Sequence, residues 1–182
     1  MMTFKQQLMA AAIAGAFAFA GSAVAMTKAE IKAENDRIAA EFKSAKAPCE
    51  SLSANAKDIC VAEAKGANTV AKAEFAAHQK DNPKARYNVR VAKAEAEYGV
   101  AKEKCDDLAG NAKNVCVKEA KAVEVKALAD AKMGKKIGEA KKEASDDKMD
   151  ANYKVAVEKC DALAGDAKTS CVAAAKAKFG KN

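Results

Sequence analysis

The residues whose type and spacing could do chemistry are six cysteines, at 49, 60, 105, 116, 160 and 171. Three chemistries are open to such a set: a metal site, a redox dithiol, or structural disulfides. Zinc sites want two closely spaced pairs of Cys or His, and redox dithiols usually keep two residues between their sulfurs. Here ten residues separate the two members of each pair, which matches neither pattern. The first cysteines of successive pairs lie 56 and 55 residues apart, so the chain repeats three times and the repeat pairs Cys49 with Cys60, Cys105 with Cys116, and Cys160 with Cys171.

The three copies read CESLSANAKDICVAEAK from 49, CDDLAGNAKNVCVKEAK from 105 and CDALAGDAKTSCVAAAK from 160. Each holds an acid after the first Cys, Leu three residues on, Asn or Asp six on, then Ala-Lys, and Val after the second Cys. Upstream the match continues through Phe42, Tyr98 and Tyr153, and through Ala45, Ala101 and Ala156.

Each copy reads as a helical hairpin that must present its two sulfurs to one another. Gly110 and Gly165 suit the left-handed residue that ends a helix, Ala54 holds the same place less comfortably, and Asn55, Asn111 and Asp166 can cap the helix that follows. Counting back from the turn, the aromatic, Ala, Cys and Leu positions fall 3, 4 and 3 residues apart, on one expected seam of the incoming helix. Antiparallel helices about 8 to 10 Å apart bring facing Cα atoms to roughly 4 to 5 Å or slightly more, within reach of a disulfide. Closing so short a loop contributes on the order of 3 kcal/mol in the chain-entropy model.

The expected fold is all-α: three tandem disulfide-stapled antiparallel hairpins forming an elongated bundle or rod. Helices are expected at about 27–53, 55–80, 84–109, 111–132, 137–163 and 166–179. Repeats then span 26–81, 82–136 and 137–182. Asp81-Asn82-Pro83 is a firm break, while Gly134 to Gly138 is a weaker one that could equally be a hinge in one long helix. Because Ala buries little area, contacts between hairpins are expected to be weaker than those within them.

Composition supports this picture. Half the chain counts as hydrophobic, but only 5% is aromatic, with no Trp and one His. Beyond the first 25 residues, Leu, Ile, Val and Phe supply about a seventh of the chain, too little for a large core. Ala, Lys and Glu dominate, and these are strong helix formers. The first 25 residues are different: Lys5 is their only charge, Leu8 to Phe19 is apolar, and Ala23-Val24-Ala25 closes the segment. That is the form of a secretory signal cleaved between Ala25 and Met26, which leaves no transmembrane anchor and places the chain in the periplasm. Disulfides fit such a compartment.

Outside the cysteines, the sequence offers no catalytic constellation, cofactor motif or metal-ligand pattern. His78 stands beside Gln79 and Lys80 near a helix end and reads as solvated. Asp106-Asp107 and Asp146-Asp147 are adjacent pairs that point in different directions on a helix. Phe42, Tyr98 and Tyr153 read as core. The formal charge of +7 comes from 32 bases interspersed with 25 acids. That pattern and export weigh against nucleic acid as a partner and leave an anionic envelope polymer or lipid, or an envelope protein. A small-ligand or metal carrier is a weaker alternative.

The signal segment, the Ala-Lys-Glu helices and the motif C-D-x-L-A-G-[ND]-A-K-x-x-C-V resemble a group of small exported bacterial proteins of unknown function. Similarity to the TolA stalk is one of composition alone. The resemblance implies no activity, and the sequence as a whole predicts a non-enzymatic envelope protein with a structural, interaction or stress-related role.

Overall fold

The computed structural model describes residues 26–181, and the proposed signal segment, including Ala25, lies outside them. Five α-helices account for most of the described chain, and no strand occurs among the described residues. Helix α1 (Lys28–Lys46) begins on a full capping box: Glu30 N–H donates to the Thr27 hydroxyl, and the Glu30 carboxylate accepts from Thr27 N–H. Its end comes earlier than the sequence suggests. Pro48 has no N–H and its ring crowds the preceding turn, so Ala47–Ser51 tightens into a 3-10 turn that carries Cys49.

Helix α2 (Ala54–Gln79) runs to the Asp81-Asn82 break. There Asn82 caps α3 (Pro83–Cys105) by accepting from Ala85 N–H at 2.8 Å, with Pro83 in the first turn. Helix α4 (Gly110–Cys160) is 51 residues long, and α5 (Gly165–Lys178) returns along its far end. The separate helices expected at 111–132 and 137–163 are therefore one continuous element. Gly134 and Gly138 do not break it because each gives room to α3. A Cβ on Gly138 would lie 3.1 Å from Pro83 Cβ, and one on Gly134 would run into the Arg90 guanidinium. These are glycines of close approach, and no proline or capping residue accompanies them to stop the helix.

Among the described residues each helix packs only on its neighbours in sequence: α1 on α2, α2 on α3, α3 on the first half of α4, and α5 on the last part of α4. The array is open, since α1 never returns to α4. The closing ends of the first two hairpins sit together, where Asn55 Nδ2 donates to the Glu103 carbonyl at 2.8 Å. At 1.5 Å per residue, α4 is roughly 76 Å long, and it carries the third hairpin to the opposite end. Between the start of α3, against Gly138, and the residues after α5, where Lys181 pairs with Asp150, no other helix among the described residues accompanies α4. Residues 139–152 are all exposed.

The expectation of weak contacts between hairpins is corrected by the α2–α3 junction, which is the most extensively packed helix pair in the molecule. Small residues are the reason. Gly66 lies against Ala96, so closely that a Cβ on Gly66 would stand 2.8 Å from the Ala96 Cβ, and Ala92 is buried beside them. Area per residue is small, but the backbones approach closely and gain dispersion contacts along their length.

Candidate functional site

The three hairpin tips are the most strongly repeated part of the sequence, and the structure builds them alike. In each, the incoming chain delivers the first cysteine to a buried position: Cys49, Cys105 and Cys160 are each no more than 1% exposed. Apart from Ile38, they are the largest fully buried side chains among the described residues. The sulfur bridges thus serve as core where Ala-rich helices supply few large side chains. All three expected pairs are closed, with Cα separations of 5.5 Å for Cys49–Cys60 and 5.7 Å for Cys105–Cys116 and Cys160–Cys171. Thiols in such bridges belong to a chain matured in an oxidising environment. No helix among the described residues is long and apolar enough to cross a membrane.

After the first cysteine, the Leu N–H closes a turn onto the Cys carbonyl: Leu52 to Cys49 at 3.2 Å, Leu108 to Cys105 at 3.0 Å and Leu163 to Cys160 at 3.0 Å. The outgoing helix then starts on a left-handed residue, with φ of 49° at Ala54 and 58° at Gly110 and Gly165. Ala54, Gly110 and Gly165 thus have the left-handed backbone expected of them, but as the first residues of the outgoing helices and not as the ends of the incoming ones. Asn55, Asn111 and Asp166 do not take the capping role expected of them. The N-cap falls two residues earlier than the sequence implies, at Ser53, Ala109 and Ala164, and none of these makes a side-chain cap bond. Asn55 instead ties two tips together through Glu103, and Asp166 lies in the first turn of α5, where its charge suits the helix dipole.

Ala54 is the one non-glycine residue at positive φ among the described residues. A left-handed residue with a Cβ costs about 1–2 kcal/mol, part of which glycine returns through its freer unfolded chain. Ala54→Gly should therefore stabilise the oxidised protein by about 0.5–1 kcal/mol. A lower midpoint in urea denaturation would show that Ala54 makes contacts worth more than its strain.

The second correction concerns leucine. Leu52, Leu108 and Leu163 were expected on the buried seam, yet they are 42%, 44% and 44% exposed. The α-helix ends at Cys105 and Cys160 in two tips, and in the first it gives way after Lys46 to a 3-10 turn that ends at Ser51, so the stepping that would return the leucine to the seam stops before reaching it. Every tip thus presents an apolar side chain to solvent. Beside two of them, Asp106 pairs with Lys113 and Asp161 with Lys168, both at 3.0 Å, strapping the turn to the outgoing helix.

The other candidate groups are not brought together. Phe42, Tyr98 and Tyr153 are half-buried, each within its own hairpin. Lys121 Nζ lies 4.7 Å from the Tyr98 ring centroid, and Tyr153 meets Phe179 edge-on at 6.3 Å. Lys121 also pairs with buried Glu124, and this hydrogen bond holds the ammonium above its usual range. His78 lines an open groove between α1 and α2 with Glu34, Arg37 and Phe75. Among the described residues no three His, Cys, Asp or Glu side chains cluster as metal ligands do. Arg86 and Lys135 converge near the start of α3, but Asp81 pairs with the first and Glu139 with the second, so neither charge stands alone. Compared with family models, with curated proteins and with solved structures, the chain matches none.

Proposed function

We propose that the protein is a non-enzymatic spacer and interaction protein of the bacterial periplasm, holding apolar disulfide-closed tips at the two ends of a long helical body. The observation that carries this reading is the placement of the tips. Two stand side by side at one end, the third stands at the far end of α4, and all three expose an equivalent leucine. A separation of roughly 76 Å suits contact with two partners or two copies of one partner. The disulfides favour an extracytoplasmic home, and the signal segment read from the sequence narrows it to the periplasm.

The test is made in the native host with a photo-crosslinking residue placed at position 108, 163 or 72, the last being exposed Lys72 on the flank of α2. Recovered protein should begin at Met26, carry the three expected bridges, and give crosslinked products from both tips in clear excess over position 72. Tips that crosslink no better than the flank would remove the interaction role. A chain retaining residues 1–25 with six free thiols would remove the compartment.

A further inference from the structure

An apolar stripe that no element among the described residues covers runs along α4, through and to either side of its unaccompanied middle. Met133, Ile137, Ala140, Ala144, Ala151 and Val155 recur three, four or seven residues apart, which places them along one face of the helix. The three large ones are 57%, 49% and 55% exposed, in the order Met133, Ile137, Val155, and the alanines between them are exposed as well. Helix α3 packs on Ala131, Gly134 and Gly138, and α5 reaches Asp150 and Tyr153. At 100° per residue the residues met by α3 lie roughly 80–140° around the helix from the stripe on one side, and Asp150 and Tyr153 roughly 120–180° from it, so both sets leave the stripe uncovered.

Charge along the same stretch is divided. Residues 132–142 hold five lysines and one acid, whereas 143–150 hold four acids and one lysine. A helix charged in this way is complementary to itself when inverted. Placing a twofold axis at Ala144 sets Met133 against Val155 of the other copy, Ile137 against Ala151, and Ala144 against itself. The same axis sets Lys141 against Asp147 and Lys142 against Asp146. Neither Lys141 nor Asp147 makes an ion pair within the chain among the described residues, so both are available across such an axis.

We propose that α4 is a homodimerisation surface on which a second copy of this chain packs antiparallel, centred on Ala144. An isologous contact of this kind closes after two copies, because the same patch is used on both. Alanine at the axis lets the helices approach closely, while the opposed charge blocks fix direction and register.

The experiment is sedimentation of the oxidised, full exported chain over a range of concentrations, with two charge-reversed variants, K141E/K142E and D146K/D147K. All four positions are exposed, and helicity by circular dichroism verifies that the variants fold. Wild type should move from monomer to dimer as concentration rises. Each variant alone places like charges across the axis and should associate at least about tenfold more weakly. Mixing the two variants restores opposite charges at every pair and should recover the dimer as a heterodimer. The proposal is overturned if wild type stays monomeric at all concentrations, if the variants dimerise as wild type does, or if the mixture fails to associate. A wild-type complex formed only with some other envelope protein would overturn it equally.

Discussion

Replacing Cys160 and Cys171 together by alanine should release α5 from the body while leaving the first four helices folded. Helix α5 has 14 residues, a length at which an isolated helix is marginal in water, and it packs on α4 alone. Its anchoring apart from the bridge is thin: Ala175 is its one buried residue, Phe179 meets Tyr153 by an edge, and Lys181 pairs with exposed Asp150. Closing an 11-residue separation contributes on the order of 3 kcal/mol, which corresponds to a factor of about a hundred in the opening equilibrium. Amide hydrogen exchange across 165–178 should therefore accelerate by on the order of a hundredfold, with little change in α2 or α3.

The same substitution at Cys105 and Cys116 should be felt less locally. Helix α3 is held by α2 on one side and α4 on the other, so losing its bridge leaves two packed faces intact. The first hairpin is intermediate, because α1 rests on α2 alone but buries Ile38 to 2% exposure. If α5 kept its full protection without the third bridge, side-chain packing would have to be the dominant constraint there, and the role of the bridges as core would fall.

Much of this architecture is legible in the sequence because covalent chemistry repeats more plainly than packing does. Ten residues between paired cysteines, with a glycine midway in two of the three repeats, leave a chain of helix formers few options besides a hairpin, and Gly110 and Gly165 adopt the left-handed backbone their position requires. What the sequence obscures is the meaning of residues that serve two purposes. Gly134 and Gly138 look like helix breakers, yet they accommodate Arg90 and Pro83 from a neighbouring helix, a reason that exists only once α3 is in place. The leucines look like seam residues because their spacing fits a helix that ends before it reaches them. Asn55 looks like a cap, and its side chain is instead used 48 residues away.

The candidate interaction surface was hidden for the same reason. Leu52, Leu108 and Leu163 are conspicuous as repeats, but an apolar residue at helical spacing is ordinarily assigned to the core, and only the observed helix end turns them outward. A signal was present in the paired turn residues, since a helix that stops at the first cysteine cannot also place the third residue beyond it on the seam.

Gly66 provides the sharpest test of the packing that the sequence underestimates. Glycine in a helix interior is less favourable than alanine by about 1 kcal/mol, so substituting it normally stabilises. At Gly99, on α3, nothing lies within 4 Å of an added Cβ, and Gly99→Ala should raise stability by about 0.5–1 kcal/mol. At Gly66 the added Cβ meets Ala96 Cβ at 2.8 Å, and two helix backbones stand behind the clash in place of a flexible side chain. Gly66→Val gains part of the propensity difference but must separate α2 from α3 along their closest stretch, where overpacking costs about 1–3 kcal/mol. The two variants should thus move the thermal midpoint in opposite directions, and Gly66→Val should also expose amides on both facing helices to faster exchange. Pairing Gly66→Val with Ala96→Gly removes the Cβ it strikes and should return much of the loss, because the two sites share one contact and are not additive. If Gly66→Val stabilised the protein as Gly99→Ala does, α2 and α3 would have to stand further apart, and the first two hairpins would be joined by their turn and the Asn55 bond more than by their faces.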